Sequence, residues 1–196
     1  MYGRDVEKKV VIKCSDEDIR FPIEILNQWD ITELEIIGGR FNYFPEDIKV
    51  LKFLKKLTIV STEITEIPAE LFELKELRSL NLKNNQISKL PKLNRTHLLE
   101  HLNLGRNNIS TSEINHLLMA LGHLNTLDLG HNEIKQFPTS ILNLHMLNRL
   151  NLEGNRLKDI PSEIKDLKNL RHLSLGQNPF SNEMKEKLTR DFNFDF

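Results

Sequence analysis

The stretch LNLKNNQISKLP, residues 80–91, decides how this chain folds, because the chain repeats it. It returns as LNLGRNNIS (102–110), LDLGHNEIKQFP (127–138), LNLEGNRLKDIP (150–161) and LSLGQNPF (173–180). Alternation in LNL sends Leu80 and Leu82 to one side of a short strand and Asn81 to the other. The leucines and asparagines keep their places between copies, and the residues between them change.

Prolines measure the period. Pro22, Pro45, Pro68 and Pro91 are each 23 residues apart, as are Pro138 and Pro161, and the gap from Pro91 to Pro138 is 47, two periods plus one residue. A fixed period of this length marks a solenoid, in which each unit buries its apolar side against its neighbours. Aligned on the prolines, the first apolar position of each copy is Ile31, Leu54, Leu77, Leu99, Leu124, Leu147 and Leu170. A worn copy begins near Lys8 and keeps Phe21, Pro22 and Ile25 in phase, which makes about eight turns.

The consensus L-x-x-L-x-L-x-x-N-x-I-x-x-L-P resembles that of leucine-rich repeat (LRR) proteins, over residues 8–180. The 23-residue period with LP in most copies is similar to the bacterial, leptospiral LRR subfamily. The resemblance implies an α/β LRR solenoid, a curved horseshoe. A parallel β-sheet lines its concave face, and short 3-10 or α segments line its convex face. The expected organisation is one domain over 1–196. Residues 8–30 form a degenerate capping repeat, 31–180 the regular repeats, and 181–196 a cap helix and Phe-rich tail.

Burying one leucine is worth about 1.5–3 kcal/mol, so a single turn is unstable while the stack is stable. Ile87, Leu90, Leu71 and Leu74 close the core from the side opposite the strands. Asn85, Asn107, Asn132, Asn155 and Asn178 stand where the chain bends after each strand. An amide that donates and accepts suits a structural ladder between turns there. Gly39 and Thr62 replace Asn in earlier copies, which predicts a looser N-terminal half of that ladder. After each LP the segment is long enough for a turn or two of helix. The copy from Leu99 lacks LP; its Ile114, Leu117, Leu118 and Leu121 recur at helical spacing, and Ser110 with Glu113 matches a capping box, predicting a true α-helix. SNEMKEKL (181–188) reads as a capped helix with Met184 and Leu188 inward. The DFNFDF tail (191–196) fits an edge cap on the last turn, pairing with a second chain, or disorder.

Three outward rows cross the concave face. The third position of each strand gives Glu33, Lys56, Ser79, His101, Thr126, Arg149 and His172. The fifth gives Glu35, Thr58, Asn81, Asn103, Asp128, Asn151 and Ser174. The seventh gives Ile37, Val60, Lys83, Gly105, Gly130, Glu153 and Gly176. Solenoids bind partners on such surfaces, so these rows are the candidate partner-binding residues. The seventh-position glycines predict a shallow polar trough around His101, Asp128, Arg149 and His172. Ile37 and Val60, exposed among Glu33, Glu35 and Lys56, read as an apolar centre with a charged rim. Arg149 is the expected anchor, its fork held by Asp128. Asn103, facing out, is expected to be thermodynamically idle.

The composition excludes several functions. A net charge of −1 gives no counterion-release drive for nucleic acid and no general pull toward an anionic membrane. No apolar run approaches the ~20 residues of a membrane span, and the N-terminus lacks a signal-peptide core, so the location is left between cytoplasm and export by another route. Cys14 is the single cysteine, which rules out an intrachain disulfide and fits an inert residue of an edge strand. No phosphate loop, H-E-x-x-H or paired cysteines occur. His101, Asp128 and His131 are the nearest approach to a metal set, and no metal or cofactor is expected. The reading is a non-enzymatic, monomeric module that binds a protein partner, a host protein if the bacterial resemblance holds. The alternative is a self-assembling scaffold working through edges or convex surfaces. Carbohydrate binding is disfavoured because Trp29 and Tyr43 lie outside the rows.

Overall fold

A computed structural model describes residues 7–192, with only the backbone at 191 and 192. Eight strands form one parallel sheet in strict chain order, β1 (Lys9–Lys13), β2 (Glu33–Ile37), β3 (Lys56–Val60), β4 (Ser79–Asn81), β5 (His101–Asn103), β6 (Thr126–Asp128), β7 (Arg149–Asn151) and β8 (His172–Ser174). The worn first copy is therefore a real turn. Its KVVIK sequence alternates, and Val10 and Ile12 pack against the core while Val11 faces out.

The register follows the repeat, for example Leu57↔Leu80, Leu80↔Leu102 and Leu102↔Leu127. Leucines thus stack on leucines inside the sheet. Across the core they meet the convex segments, where Ile48, Leu71, Leu74, Ile141 and Ile164 are buried. Five of those segments are single 3-10 helices directly after a proline, at Ile23–Asn27, Glu46–Val50, Ala69–Glu73, Thr139–Asn143 and Ser162–Asp166. Pro caps each because its fixed φ suits a helix start and its missing N–H goes unneeded there. No helix follows Pro91, in the copy that is one residue short.

The copy without LP forms α1 (Thr111–Leu118), with Ile114, Leu117 and Leu118 buried. Its expected capping box does not form. Ser110 makes no cap bond and its Oγ lies 3.1 Å from Ser112 Oγ, while Glu113 Oε2 accepts the Leu90 N–H from the previous turn at 2.8 Å. The carboxylate is drawn across the stack because the helix-free turn leaves that amide unsatisfied. At the far end, α2 (Asn182–Phe192) buries Met184 and Leu188, and Ser181 Oγ accepts the Met184 N–H at 3.1 Å. The tail beyond 192 lies outside the described residues. Among the described residues no helix is long and apolar enough to cross a membrane.

Candidate functional site

The asparagine column fixes where the outward face lies. Asn107 Nδ2 donates to Leu104 O of its own turn and to Leu82 O of the turn before, both at 3.0 Å, while its Oδ1 accepts Ile87 N–H at 2.9 Å. Asn132, Asn155 and Asn178 repeat the pattern, accepting Ile109, Ile134 and Leu157 N–H. Asn85 departs from it. Thr62 donates both its N–H and its hydroxyl to Asn85 Oδ1, and its Oγ receives Ile64 N–H at 3.4 Å. A threonine hydroxyl thus relays the missing asparagine's bond. At Gly39 no side chain does so; that residue has φ +92° and leaves space for Phe41 and Cys14.

The strand registers align two of the three outward rows along the whole sheet, and the third only at Ile37↔Val60. Glu33↔Lys56↔Ser79↔His101↔Thr126↔Arg149↔His172 form one, and Glu35↔Thr58↔Asn81↔Asn103↔Asp128↔Asn151↔Ser174 the next. β1 adds Lys9, Val11 and Lys13 to these rows; the alternation in KVVIK was the signal for them. A trough of about 400 Å³ lies over the C-terminal half, among them His101, Thr126, Asp128, Arg149, Asn151 and His172. A hollow lies where the trough is expected, but its polar walls are third- and fifth-position residues and none of the seventh-position glycines lines it.

Its chemistry differs from the sequence expectation in the fifth row. Asn103 Oδ1 accepts Gly105 N–H at 3.0 Å, Asp128 Oδ1 accepts Gly130 N–H at 2.9 Å and Asn151 Oδ1 accepts Glu153 N–H at 2.9 Å. Asn151 Nδ2 also donates to Asp128 Oδ1 at 2.9 Å. These side chains form a second, outward ladder that caps the strand ends, so Asn103 is not idle. The glycines make room for it: a Cβ on Gly130 would stand 2.7 Å from Asn151 Nδ2, and one on Gly105 3.2 Å from Asp128 Oδ1. Asp128 is held by its own row and does not grip Arg149. The guanidinium is exposed, and makes no hydrogen bond or ion pair among the described residues.

The N-terminal half is an ion-paired lattice. Lys9 Nζ lies 2.9 Å from Glu35, and Lys56 Nζ 2.6 Å from Glu33. The hydrogen bond and charge of Glu35 raise Lys9, and those of Glu33 raise Lys56, above the ordinary lysine pKa. Ile37 and Val60 are half-buried rather than exposed; Ile37 lies in register between Lys13 and Val60, and Val60 beside Ile37. Lys83 is exposed and Glu153 Oε1 accepts a bond from Gln177 Nε2 at 2.9 Å.

The three residues weighed as a metal set do not converge. His101 Nδ1 is 2.9 Å from Thr126 Oγ, Asp128 is engaged as above, and the His131 ring lies so near Gly154 that a Cβ there would overlap it. Cys14 sits just after the edge strand, and burial pushes its thiol pKa up, with Asp18 adding to the shift. That disfavours the thiolate.

Structurally similar chains include a Leptospira interrogans LRR protein, 30% identical with a TM-score of 0.64, covering 88% of this chain and 50% of that one. An internalin from Listeria monocytogenes is 24% identical with a TM-score of 0.64, covering 84% of this chain and 54% of that one. A plant peptide hormone receptor, RGFR1, in complex with RGF2 is 24% identical with a TM-score of 0.66, covering 88% of this chain and 28% of that one. The chain spans about half the length of the two bacterial proteins. No curated protein sequence matches it. The family model of the leucine-rich repeat region matches residues 76–190, more than half of the chain. This protein belongs to the leucine-rich repeat family.

Proposed function

We propose that the chain is a non-enzymatic module that recognises a protein partner through its concave face, in a bacterial setting where that partner is a host protein. The observation that carries the reading is the state of Arg149. It projects over the trough with no hydrogen bond or ion pair among the described residues, next to His172 in register, whereas Lys9 of β1 and Lys56 of β3 are neutralised by Glu35 and Glu33. A planar guanidinium with free donors binds a carboxylate bidentately, and binding energy concentrates in a few central residues. Kinship with a Leptospira protein supports the bacterial setting.

The test is calorimetric titration of a partner identified by affinity capture. Arg149→Ala should weaken it by about tenfold or more without moving the melting temperature. Lys165→Ala, on the convex side, should change neither. Loss of affinity only on convex or edge substitutions sinks the concave reading.

A further inference from the structure

The loops that lead into β2 and β3 carry an aromatic surface with no role in the concave face. Trp29, the chain's single tryptophan, is 60% exposed, and Phe53 is 51% exposed. Their ring centroids are 5.9 Å apart and the rings are tilted by 51°. Large apolar side chains held this open to water are costly, and adjacent ones mark contact sites. Beside Phe53 lies a hollow of about 670 Å³, with Val50 and Phe53 as its apolar wall and Lys49, Lys52, Lys55 and Lys75 around it. Glu73 and Glu76 are the acids on its wall. Lys49, Lys52 and Lys75 make no ion pair among the described residues.

An apolar hollow framed by Lys49, Lys52 and Lys75, none ion-paired among the described residues, fits an apolar side chain flanked by carboxylates. Its concave form suits a peptide better than a flat bilayer. The chain itself supplies that chemistry in DFNFDF, residues 191–196, where phenylalanines alternate with Asp191, Asn193 and Asp195. Its first two residues end α2, whose Met184 and Leu188 are buried at the β8 end of the stack. The four residues past Phe192 reach at most about 14 Å. Strand β3 is five strands from β8, roughly 24 Å away. A tail that arrives at Phe53 therefore comes from another molecule.

We infer that the Trp29–Phe53 edge and its lysine-framed hollow dock the Phe- and Asp-rich segment 191–196 of a second copy of the chain, joining copies head to tail. Donor and acceptor surfaces differ, so the contact is heterologous and adds further copies instead of closing a two-fold dimer. It does not depend on the concave face, and either can fail alone. The monomer expected from sequence is then the dilute limit.

Trp29 makes the test local. The full chain at low concentration is titrated with the synthetic peptide TRDFNFDF (189–196), which has no tryptophan, while Trp29 emission is followed. Mass is measured in parallel against chain concentration by light scattering. A blue shift that saturates, with mass that grows on concentration and falls in high salt, is the expected result. Lys52→Glu with Lys75→Glu should weaken the peptide by about tenfold, and a peptide with both Asp replaced by Asn should weaken likewise. Far-UV circular dichroism confirms that the variants remain folded. No emission change with peptide and no concentration dependence of mass overturn the inference. A shift unaffected by the lysine reversals overturns it too, as does one given by phosphatidylserine vesicles and not by the peptide, which assigns the surface to lipid.

Discussion

Asn132→Ala tests the inner ladder most directly. Asn132 is 6% exposed. Its Nδ2 donates to Leu104 O at 2.9 Å and Leu129 O at 3.1 Å, and its Oδ1 accepts Ile109 N–H at 2.9 Å. The two carbonyls keep a donor when it is removed, since Asn107 also reaches Leu104 O and Asn155 also reaches Leu129 O. The Ile109 N–H has no second acceptor and is left buried and unpaired. The cost of one such orphan is about 1–3 kcal/mol. On a chain of this size that lowers the melting temperature by roughly 2–4 °C for each kcal/mol. Asn103→Ala orphans Gly105 N–H in the outer ladder, next to the open trough where water reaches more easily, and should cost about 1 kcal/mol. The assay is urea unfolding with the m-value compared between variants, alongside amide exchange at Ile109 and Gly105. An Asn132→Ala chain as stable as the parent, with the Ile109 amide still protected, would show that the ladder reasoning is wrong.

Further outcomes follow from single contacts. Gly130→Ala drives Asn151 off its bond to Asp128 and should destabilise by about 1–2 kcal/mol, whereas Gly176→Ala, whose nearest neighbour is Glu153 Cγ at 3.8 Å, should be nearly neutral in thermal melts. Ser110→Ala should change stability by less than about 0.5 kcal/mol, because the serine caps nothing; Glu113→Ala removes the acceptor of Leu90 N–H and should cost about 1 kcal/mol, read by denaturant midpoints. His97 is buried between Phe72, its ring 5.4 Å away, and Leu74 O, 3.1 Å from Nε2, with Nδ1 unpartnered. Burial lowers its pKa, the Leu74 carbonyl opposes that, and the charges of Arg78 and Arg95 add to the lowering. The unfolded chain therefore binds the proton more readily. The stability from neutral His97 is complete above the ordinary histidine pKa and is lost as pH falls toward the folded value. A His97→Gln variant should lose less stability between pH 7 and pH 5 than the parent, and equal losses refute the assignment.

The inward half of the structure was legible in the sequence because each leucine and asparagine answers to one local demand that recurs every turn. Period, strand order and the inner ladder follow from that. The outward half was less so. Whether Asn103 or Asp128 faces solvent is set by alternation, but whether its oxygen is free depends on the amide two residues on, and on a glycine in the neighbouring turn. Ser110 and Glu113 have capping-box spacing, yet an unsatisfied amide in another repeat claims the carboxylate. The relay through Thr62 is likewise a tertiary event. Residue type singles out Arg149, but Asp128, one strand away and one row over, does not hold its fork, because Asp128 Oδ1 is taken by the Gly130 N–H and by Asn151 Nδ2.

The inner ladder also has a direction. Each asparagine serves backbone groups of the turn before it: Asn107 satisfies Ile87 N–H, and Asn155 satisfies Ile134 N–H. A turn followed by one of these asparagines has its hydrogen bonding completed by its successor. On a ribosome, where the chain emerges from the N-terminus, a turn stays unfinished until the next has left the exit tunnel. Assembly of the nascent chain then trails its emergence from the tunnel by about one repeat. A stalled chain cut just before Asn132 would carry an open Ile109 amide at its growing end, whereas one that includes Asn132 would have it closed.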